Sequence, residues 1–197
     1  MLKKGFDLRT REWRIIANDP DLDTVLAIWL LLTMAGNFAV LLSRDIASFF
    51  LAYAVMSMAS FGLVLHSRTR QARRAARVYL PLAVIAEMVL FAALQLVAHE
   101  SGGHYLGDIE GSMLQDLPIL LLLVGFGVKA GLPLLHVAMP PAYAVLPLAA
   151  AIPLAGAMLH LGLYGWLRFL PLGQMASPGW SSVFALTGML AMVYGVV

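Results

Sequence analysis

The sequence predicts an all-α, polytopic integral membrane protein with about six transmembrane helices, the fourth of them broken. Hydrophobic residues make up 61% of the chain and charged residues 12%, and the mean hydropathy is +0.84. A soluble globule of this composition would expose far too much apolar surface. Six apolar runs are long enough to cross a bilayer as helices, at about 20 residues each. The runs lack the alternation typical of a barrel, and helices satisfy their own backbone within hydrocarbon.

The predicted spans lie near 24–43, 46–66, 78–98, 117–137, 146–168 and 179–197. A tight Ser43-Arg44-Asp45 turn joins the first two. Residues 1–23 are polar and of mixed charge, so we expect them to lie at the membrane surface on the cytoplasmic side. They do not resemble a cleavable signal peptide, because charged residues follow Lys3 and Lys4 where an apolar core is required. The last run stops at Val197 without a polar flank, so either the helix ends there or the chain is a fragment.

Basic and acidic residues are segregated between two loops. The segment Ser67–Arg77 holds Arg68, Arg70, Arg73, Arg74 and Arg77, whereas His99–Asp116 is acidic and contains neither Lys nor Arg. By the positive-inside rule the arginine-rich loop is cytoplasmic, the acidic loop lies on the opposite side, and both termini are cytoplasmic. This topological role accounts for the net charge of +2 without nucleic-acid binding.

The fourth span contains the helix-breaking residues that predict its interruption. Gly125, Gly127, Gly131 and Pro133 surround Lys129, and glycine and proline together weaken helical hydrogen bonding. Broken membrane helices are tolerated where the freed backbone is buried or lines a wet cavity, and transporters place ion sites at such breaks. The alternative is a proline kink that only improves packing.

Three successive long spans each carry one titratable residue near mid-depth. They are Glu87, Lys129 and His160. Placing an ionisable group at the bilayer centre costs about 2.5–3.5 kcal/mol, so its presence there suggests a role in ion or proton handling. We expect Glu87 and Lys129 to contact each other, since an attraction of about 4 kcal/mol between them would balance that cost. Opening and closing such a pair could then switch the protonation of the lysine. The alternative is a permanent salt bridge that fixes helix packing.

Two further histidines lie near the ends of spans. His136 follows Lys129 by two helical turns, and His66 ends the second span. Imidazole titrates near neutral pH and can pass a proton between its two nitrogens, so both are candidates for a proton entry path. The alternative for each is an interfacial side chain that reaches headgroups and water.

The sequence offers no metal or cofactor site. The chain has no cysteine, which excludes disulfides, thiol catalysis and thiolate ligation of iron–sulfur clusters. No two histidines have the close helical spacing of a shared metal face. Any electron chemistry therefore belongs to partner proteins.

Several motifs resemble one family of membrane proteins. They are Gly125-Phe-Gly-Val-Lys-Ala-Gly-Leu-Pro-Leu-Leu-His136, Gly156-Ala-Met-Leu-His-Leu-Gly-Leu-Tyr-Gly-Trp-Leu-Arg168-Phe-Leu-Pro-Leu-Gly173, Arg44-Asp-Ile-Ala-Ser-Phe-Phe50 and Arg73-Arg-Ala-Ala76. As a set they resemble the antiporter-like membrane subunits of respiratory complex I, and most of all their relatives in energy-converting hydrogenases, of the hydrogenase-4 and formate hydrogenlyase type. The resemblance covers about residues 25–173.

This resemblance implies a proton or cation translocator, in a family built from two inverted five-helix repeats with a broken helix in each. Lys129 matches the broken-helix lysine of the first half-channel, and His136 matches the histidine that follows it. His160 falls where the family usually has a second lysine. The chain departs from the family at Ala54, near the position of its usual glutamate, and at Tyr143, in place of a histidine. Glu87 is a candidate to replace the missing acid.

The resemblance also implies a domain division and an assembly. Residues 24–173 would form the first five-helix repeat, and 174–197 an additional helix, truncated if the chain is a fragment. Such subunits lie in the bacterial or archaeal cytoplasmic membrane and work with other membrane subunits of a redox assembly. A half-channel for protons, or for sodium, is therefore the expected function, with no redox centre of its own. A non-pumping scaffold subunit and a small autonomous cation antiporter are the alternatives.

Overall fold

The computed structural model describes residues 20–67, 69–109, 114–133, 135–136, 139–170 and 179–196. The helices are α1 (Pro20–Leu42), α2 (Ile46–Leu65), α3 (Arg70–Ser101), α4 (Asp116–Ala130), α5 (Met139–Tyr143), α6 (Leu148–Phe169) and α7 (Gly179–Val196), with a short 3-10 turn at Leu106–Ile109. Extended pairing within these ranges is limited to one isolated bridge between Asp45 and Tyr105. The predicted all-α membrane fold is confirmed.

Among the described residues, four helices are long and apolar enough to span a membrane: Thr24–Leu42, Ile46–Leu65, Arg70–Ser101 and Leu148–Phe169. They match the first, second, third and fifth predicted spans. The fourth predicted span consists of the 15-residue α4 and the break that follows it, and the sixth contains a shorter apolar helix, Gly179–Val193. The predicted surface segment 1–23 lies mostly outside the described residues, and the proposed domain boundaries stay predictions.

One end of the helical bundle is tied together by the turn before α2. Asp45 caps α2 by accepting a hydrogen bond from the Ser48 amide at 2.8 Å, as expected for an N-cap aspartate. The Ile46 amide donates to the His104 carbonyl at 3.0 Å, and the Leu106 amide donates to the Arg44 carbonyl at 2.9 Å. The turn and the loop after α3 therefore lie at the same end of the bundle, which we call the acidic end.

The opposite end is formed by the last turn of α2 and the first two turns of α3, and we call it the arginine end. Thr69 caps α3 by accepting a hydrogen bond from the Ala72 amide at 3.1 Å. The arginines of this segment and the acidic loop thus lie at opposite ends of the same long helix. This separation is the one that the sequence predicted from charge alone.

Small residues bring the central helices close together. A Cβ added to Gly125 of α4 would lie 3.1 Å from Leu90 of α3, and one added to Gly162 of α6 would lie 2.7 Å from the Ala130 amide nitrogen. The Trp166 indole nitrogen also donates to the Leu122 carbonyl at 3.0 Å, which joins α6 to α4. Helix α4 is therefore held between α3 and α6, and its side chains are largely buried.

Candidate functional site

The break in the fourth span positions Lys129 in the last full turn of α4. The helix ends at Ala130, and Gly131 follows with φ 79°, a left-handed conformation that glycine adopts without a Cβ clash. The Leu132 amide then donates to the Gly127 carbonyl at 2.9 Å, which closes the end of the helix. The predicted break near Lys129 is confirmed, and it occurs two residues beyond the lysine.

Lys129 is buried among polar and aromatic groups of α2. Its side chain is 2% exposed, and its Nζ donates a hydrogen bond to the Ser57 hydroxyl. The same nitrogen lies 5.5 Å from the centroid of the Tyr53 ring, within the range of a cation–π interaction. The ammonium group therefore has a hydrogen-bond acceptor and a ring face in an otherwise apolar core.

More hydroxyl groups continue from this contact toward the arginine end. The Ser60 hydroxyl donates to the Ser57 carbonyl at 2.6 Å. The Tyr79 hydroxyl of α3 lies 2.7 Å from the Ser60 hydroxyl oxygen. Tyr79 is the donor in this hydrogen bond, because the single hydroxyl proton of Ser60 is already donated to the Ser57 carbonyl. Ser57, Ser60 and Tyr79 thus form a buried polar line, which we call the hydroxyl line.

Glu87 lies near Lys129 but does not bond to it. The residue is 5% exposed, and neither carboxylate oxygen has a hydrogen-bond partner among the described residues. It is nevertheless close enough for its charge to act on Lys129, Tyr53 and Tyr79. Our prediction of a direct contact between Glu87 and Lys129 is wrong in this structure. The ammonium donates to Ser57 of α2 instead, and the packing of α3 leaves the Glu87 carboxylate out of hydrogen-bond reach.

An aromatic cluster closes the other side of Lys129. Phe49, Tyr53, Phe126 and Phe169 are all buried, and the Phe49 and Phe169 rings have centroids 4.7 Å apart. Phe126 lies 5.7 Å from Tyr53 and 5.9 Å from Phe169. Phe49 and Tyr53 lie on α2 between Ser57 and the acidic end. Polar groups therefore continue from Lys129 toward the arginine end, and packed rings fill the space toward the acidic end.

A small cavity adjoins the lysine on the polar side. Its walls are formed by Tyr79, Leu82, Ala83, Val128, Lys129 and Met139. The volume open to the centre of a water molecule is about 10 Å³, close to the minimum that one water requires. Its lining is almost wholly apolar, so the cavity offers a water molecule few hydrogen-bond partners.

The structure does not bring His160 together with these residues. His160 is exposed, and its Nδ1 bonds to the Gly156 carbonyl of its own helix. Gly156 belongs to the π-helical turn Leu154–Met158 inside α6, and such turns are frequent at functional sites. The role of His160 in lateral proton transfer stays a prediction.

The two terminal histidines lie apart from the hydroxyl line. His136 is half-buried beyond the break, and its Nδ1 lies 3.1 Å from the Leu132 carbonyl. His66 is 6% exposed at the arginine end. It borders a cavity of about 420 Å³ whose other walls are Val25, Trp29, Phe61, Gly62, Leu65 and Arg73. His66 therefore lies buried at the end toward which the hydroxyl line points.

Sequence reasoning missed Ser57, Ser60, Tyr53 and Tyr79. The available signal was weak, since Ser57 and Ser60 are spaced i, i+3 on one face of an apolar helix and serine is common in such helices. Ser57 lies one turn after Ala54, the position near which the acid suggested by the resemblance is absent. Within the described ranges no cluster of three or more His, Asp or Glu forms a potential metal site.

The family described as NADH:quinone oxidoreductase/Mrp antiporter transmembrane matches residues 43–197 of this chain. Hydrogenase-4 component B of Escherichia coli is 26% identical over 171 residues, which cover 83% of this chain and 25% of that protein. NAD(P)H-quinone oxidoreductase chain 4 3 of Picosynechococcus is 30% identical over 175 residues, covering 84% of this chain and 32% of the relative. An uncharacterized protein of Mycobacterium tuberculosis is 30% identical over 172 residues, with coverages of 84% and 27%.

Solved structures show the same fold. A chain of the membrane-bound sulfane sulfur reductase, an archaeal respiratory membrane complex, superposes with a TM-score of 0.69 at 21% identity, covering 81% of this chain and 34% of that one. A chain of the Mrp complex from Dietzia gives a TM-score of 0.63 at 24% identity, with coverages of 71% and 28%. The chain thus spans between a quarter and about a third of the length of the relatives it matches. It belongs to the NADH:quinone oxidoreductase/Mrp antiporter transmembrane family.

Proposed function

We propose that this chain supplies a proton half-channel that opens at the arginine end of the bundle and stops at Lys129. The observation that carries the proposal is the asymmetry around the lysine. Hydroxyl groups lie on its arginine-end side, and packed aromatic rings lie on the other. A half-channel must admit protons from one side and block them on the other. Polar groups on one side of Lys129 and packed rings on the other meet both requirements.

Lys129 is the proposed site where the proton is held. An ammonium group with one hydrogen bond and one ring face is stable enough to form in the membrane, and its burial keeps it from exchanging freely with bulk water. Glu87 is the proposed electrostatic partner. Its charge favours the protonated lysine, and the absence of a direct bond leaves both groups free to change protonation without first breaking an ion pair.

The proposed entry path uses the hydroxyl line. Lys129 contacts the Ser57 hydroxyl, which lies one turn along α2 from Ser60, and the Tyr79 hydroxyl donates to Ser60. From Ser60 to His66 the rise along α2 is about 9 Å, and His66 borders the larger cavity at the arginine end. By the positive-inside rule this end faces the cytoplasm, so protons would enter from there.

The likeness to parts of longer proteins supports a half-channel that works within a larger assembly. Hydrogenase-4 component B and NAD(P)H-quinone oxidoreductase chain 4 carry names of redox enzymes, and the two structural neighbours belong to membrane complexes. We propose that other membrane subunits, or further sequence of the same kind, complete the path beyond Lys129. Electrons would be carried by partner proteins.

A scaffold role is the second candidate, and one observation favours it. The Lys129–Ser57 hydrogen bond joins α4 to α2 across the core, as a purely structural contact would. The experiment that separates the candidates is proton uptake by sealed vesicles that contain the native assembly, with Tyr79→Phe compared with the parent. The half-channel predicts slower uptake, because the hydroxyl line is cut while the ring remains.

Tyr164→Phe is the matched control for this experiment, since Tyr164 lies on α6 outside the hydroxyl line. It should leave proton uptake at the parental rate. If Tyr79→Phe also transports protons at the parental rate in an intact assembly, the proposed entry path is wrong and the scaffold role is favoured.

A further inference from the structure

The arginines of α3 form one continuous stripe on the outside of the helix. Arg70, Arg73, Arg74 and Arg77 follow the i, i+3, i+4, i+7 pattern of a single helix face, and all four are exposed. The opposite face is buried and consists of Ala72, Ala75, Ala76 and Tyr79. Packing of that small-residue face against the bundle fixes the direction of the stripe, which we call the arginine stripe.

The arginine stripe borders a concave surface. A recess of about 500 Å³ is lined by Arg70, Gln71, Arg73, Arg74 and Arg77. All of these side chains carry hydrogen-bond donors, and four of them carry a permanent positive charge. The chain contains no Asp or Glu between Asp45 and Glu87.

The position of the stripe along α3 matches the headgroup layer of a bilayer. The apolar part of the helix, Val78–Ala98, has a length of about 31 Å, which equals the thickness of a typical hydrocarbon core. Arg77 directly precedes it, and Arg70 lies about 10 Å further out along the helix axis. The headgroup region on each side of a bilayer is about 5–7 Å thick. Arg74 and Arg77 therefore lie at the depth of lipid phosphates.

We propose that the arginine stripe is a binding site for the phosphodiester headgroups of anionic phospholipids. Guanidinium groups bind phosphate oxygens through paired hydrogen bonds, and basic clusters beside membrane helices attract anionic lipids. The recess gives several guanidinium groups access to one headgroup. Bound lipid would stabilise the arginine end of α3. Tyr79 lies on the opposite, buried face of this part of the helix. Arg73 borders both this recess and the cavity beside His66, but the lipid proposal does not depend on proton transfer.

The test is lipid binding to the purified full-length chain in detergent micelles, measured by native mass spectrometry. Phosphatidylglycerol is compared with phosphatidylcholine of the same acyl chains. The parent should bind phosphatidylglycerol in preference. The double variant Arg74→Gln/Arg77→Gln should lose about thirtyfold in phosphatidylglycerol affinity, at about 1 kcal/mol for each arginine, and should bind phosphatidylcholine as before.

Two further double variants keep the test decisive. Arg44→Gln/Arg168→Gln removes the same charge outside the arginine end and should leave phosphatidylglycerol affinity unchanged. Arg74→Lys/Arg77→Lys preserves the positive charge that sets membrane orientation, so it should insert like the parent and still bind less phosphatidylglycerol. An equal loss in the Arg44/Arg168 pair, or no preference for phosphatidylglycerol in the parent, would overturn the proposal.

The remaining outcomes identify other occupants. If millimolar inorganic phosphate displaces the lipid completely, the recess is a site for free phosphate and the proposal fails. It also fails if the Arg74/Arg77 variants bind lipid normally but lose a protein subunit from the native assembly, since the stripe would then be a protein interface.

Discussion

Lys129 and Ser57 are 72 residues apart in the chain, and their side chains form a buried hydrogen bond between the broken helix α4 and the intact helix α2. The lysine donates to the hydroxyl and is not paired with the buried carboxylate of Glu87. An intramembrane ammonium is thus held mainly by a neutral acceptor and a ring face. Such an arrangement stabilises the cation less than a direct ion pair would, which suits a group that must also release its proton.

Ser57→Ala tests the hydrogen bond that this arrangement depends on. It leaves the Lys129 ammonium without its acceptor, so we expect a loss of about 1–3 kcal/mol in stability and a lower rate of proton uptake. Ser57→Thr retains the hydroxyl and should recover most of both. Thr187→Val on α7 removes a half-buried hydroxyl outside the site and serves as the control. Parental stability and uptake in Ser57→Ala would contradict the assigned contact. The measurements are thermal unfolding and vesicle proton uptake.

Glu87→Gln separates charge from packing. The substitution preserves the shape of a side chain whose two oxygens have no hydrogen-bond partner among the described residues. We expect a modest fall in the melting temperature, because the Lys129 ammonium loses a nearby opposite charge but keeps its hydrogen bond to Ser57. Proton uptake should fall at least about tenfold, an effect of about 1.4 kcal/mol on the barrier. A lower melting temperature with normal uptake would instead assign Glu87 a structural role.

Gly131→Ala tests the break itself. At φ 79° an alanine is strained by about 1–2 kcal/mol, so the variant should unfold at a lower temperature. Gly188→Ala in α7 is the matched control, since an added Cβ there meets no atom within 4 Å. A helix-interior alanine should be neutral or stabilising by up to about 1 kcal/mol. Equal melting temperatures for the two variants would show that the helix end adapts without glycine.

Asp45 links stability to pH at the acidic end of the bundle. Hydrogen bonds from the Ser48 hydroxyl and amide lower the pKa of its carboxyl below the ordinary value of 3.8. A lowered pKa in the folded state contributes stability above the pKa of the unfolded chain, and that contribution is lost as pH falls through the folded pKa. Asp45→Asn should therefore reduce the loss of stability below about pH 4, as followed by thermal melts between pH 3 and 7. An unchanged pH profile would exclude this role.

The sequence predicted the spans, the break and the burial of Lys129 because each depends on local composition. Runs of apolar residues fix the helices, and Gly131 fixes the end of α4 through its own conformation. The partners of Lys129 depend on how α2, α3 and α4 pack. Close contacts such as that of Gly125 with Leu90 set this packing, and the sequence of one chain does not show which helices meet there. The sequence therefore predicted Glu87, the charged residue at a similar depth, as the partner of Lys129, whereas the partner in the structure is the Ser57 hydroxyl.

The surroundings of His160 and of the hydroxyl line also depend on how the helices pack. The sequence predicted the depth of His160 from its position within a span. It could not predict the rotation of α6, which leaves the His160 side chain exposed. The hydroxyl line was missed because Ser60 and Tyr79 come from different helices and become significant only through their 2.7 Å contact.

We propose that Lys129 carries the translocated proton, and proton flux through the native assembly in sealed vesicles tests this role. Lys129→Gln should be compared with the parent at matched expression and matched redox turnover. We expect flux to collapse by at least about a hundredfold, an effect of about 2.7 kcal/mol on the barrier, while the subunits remain assembled. Parental flux in an intact Lys129→Gln assembly would contradict the claim and leave this chain as a scaffold.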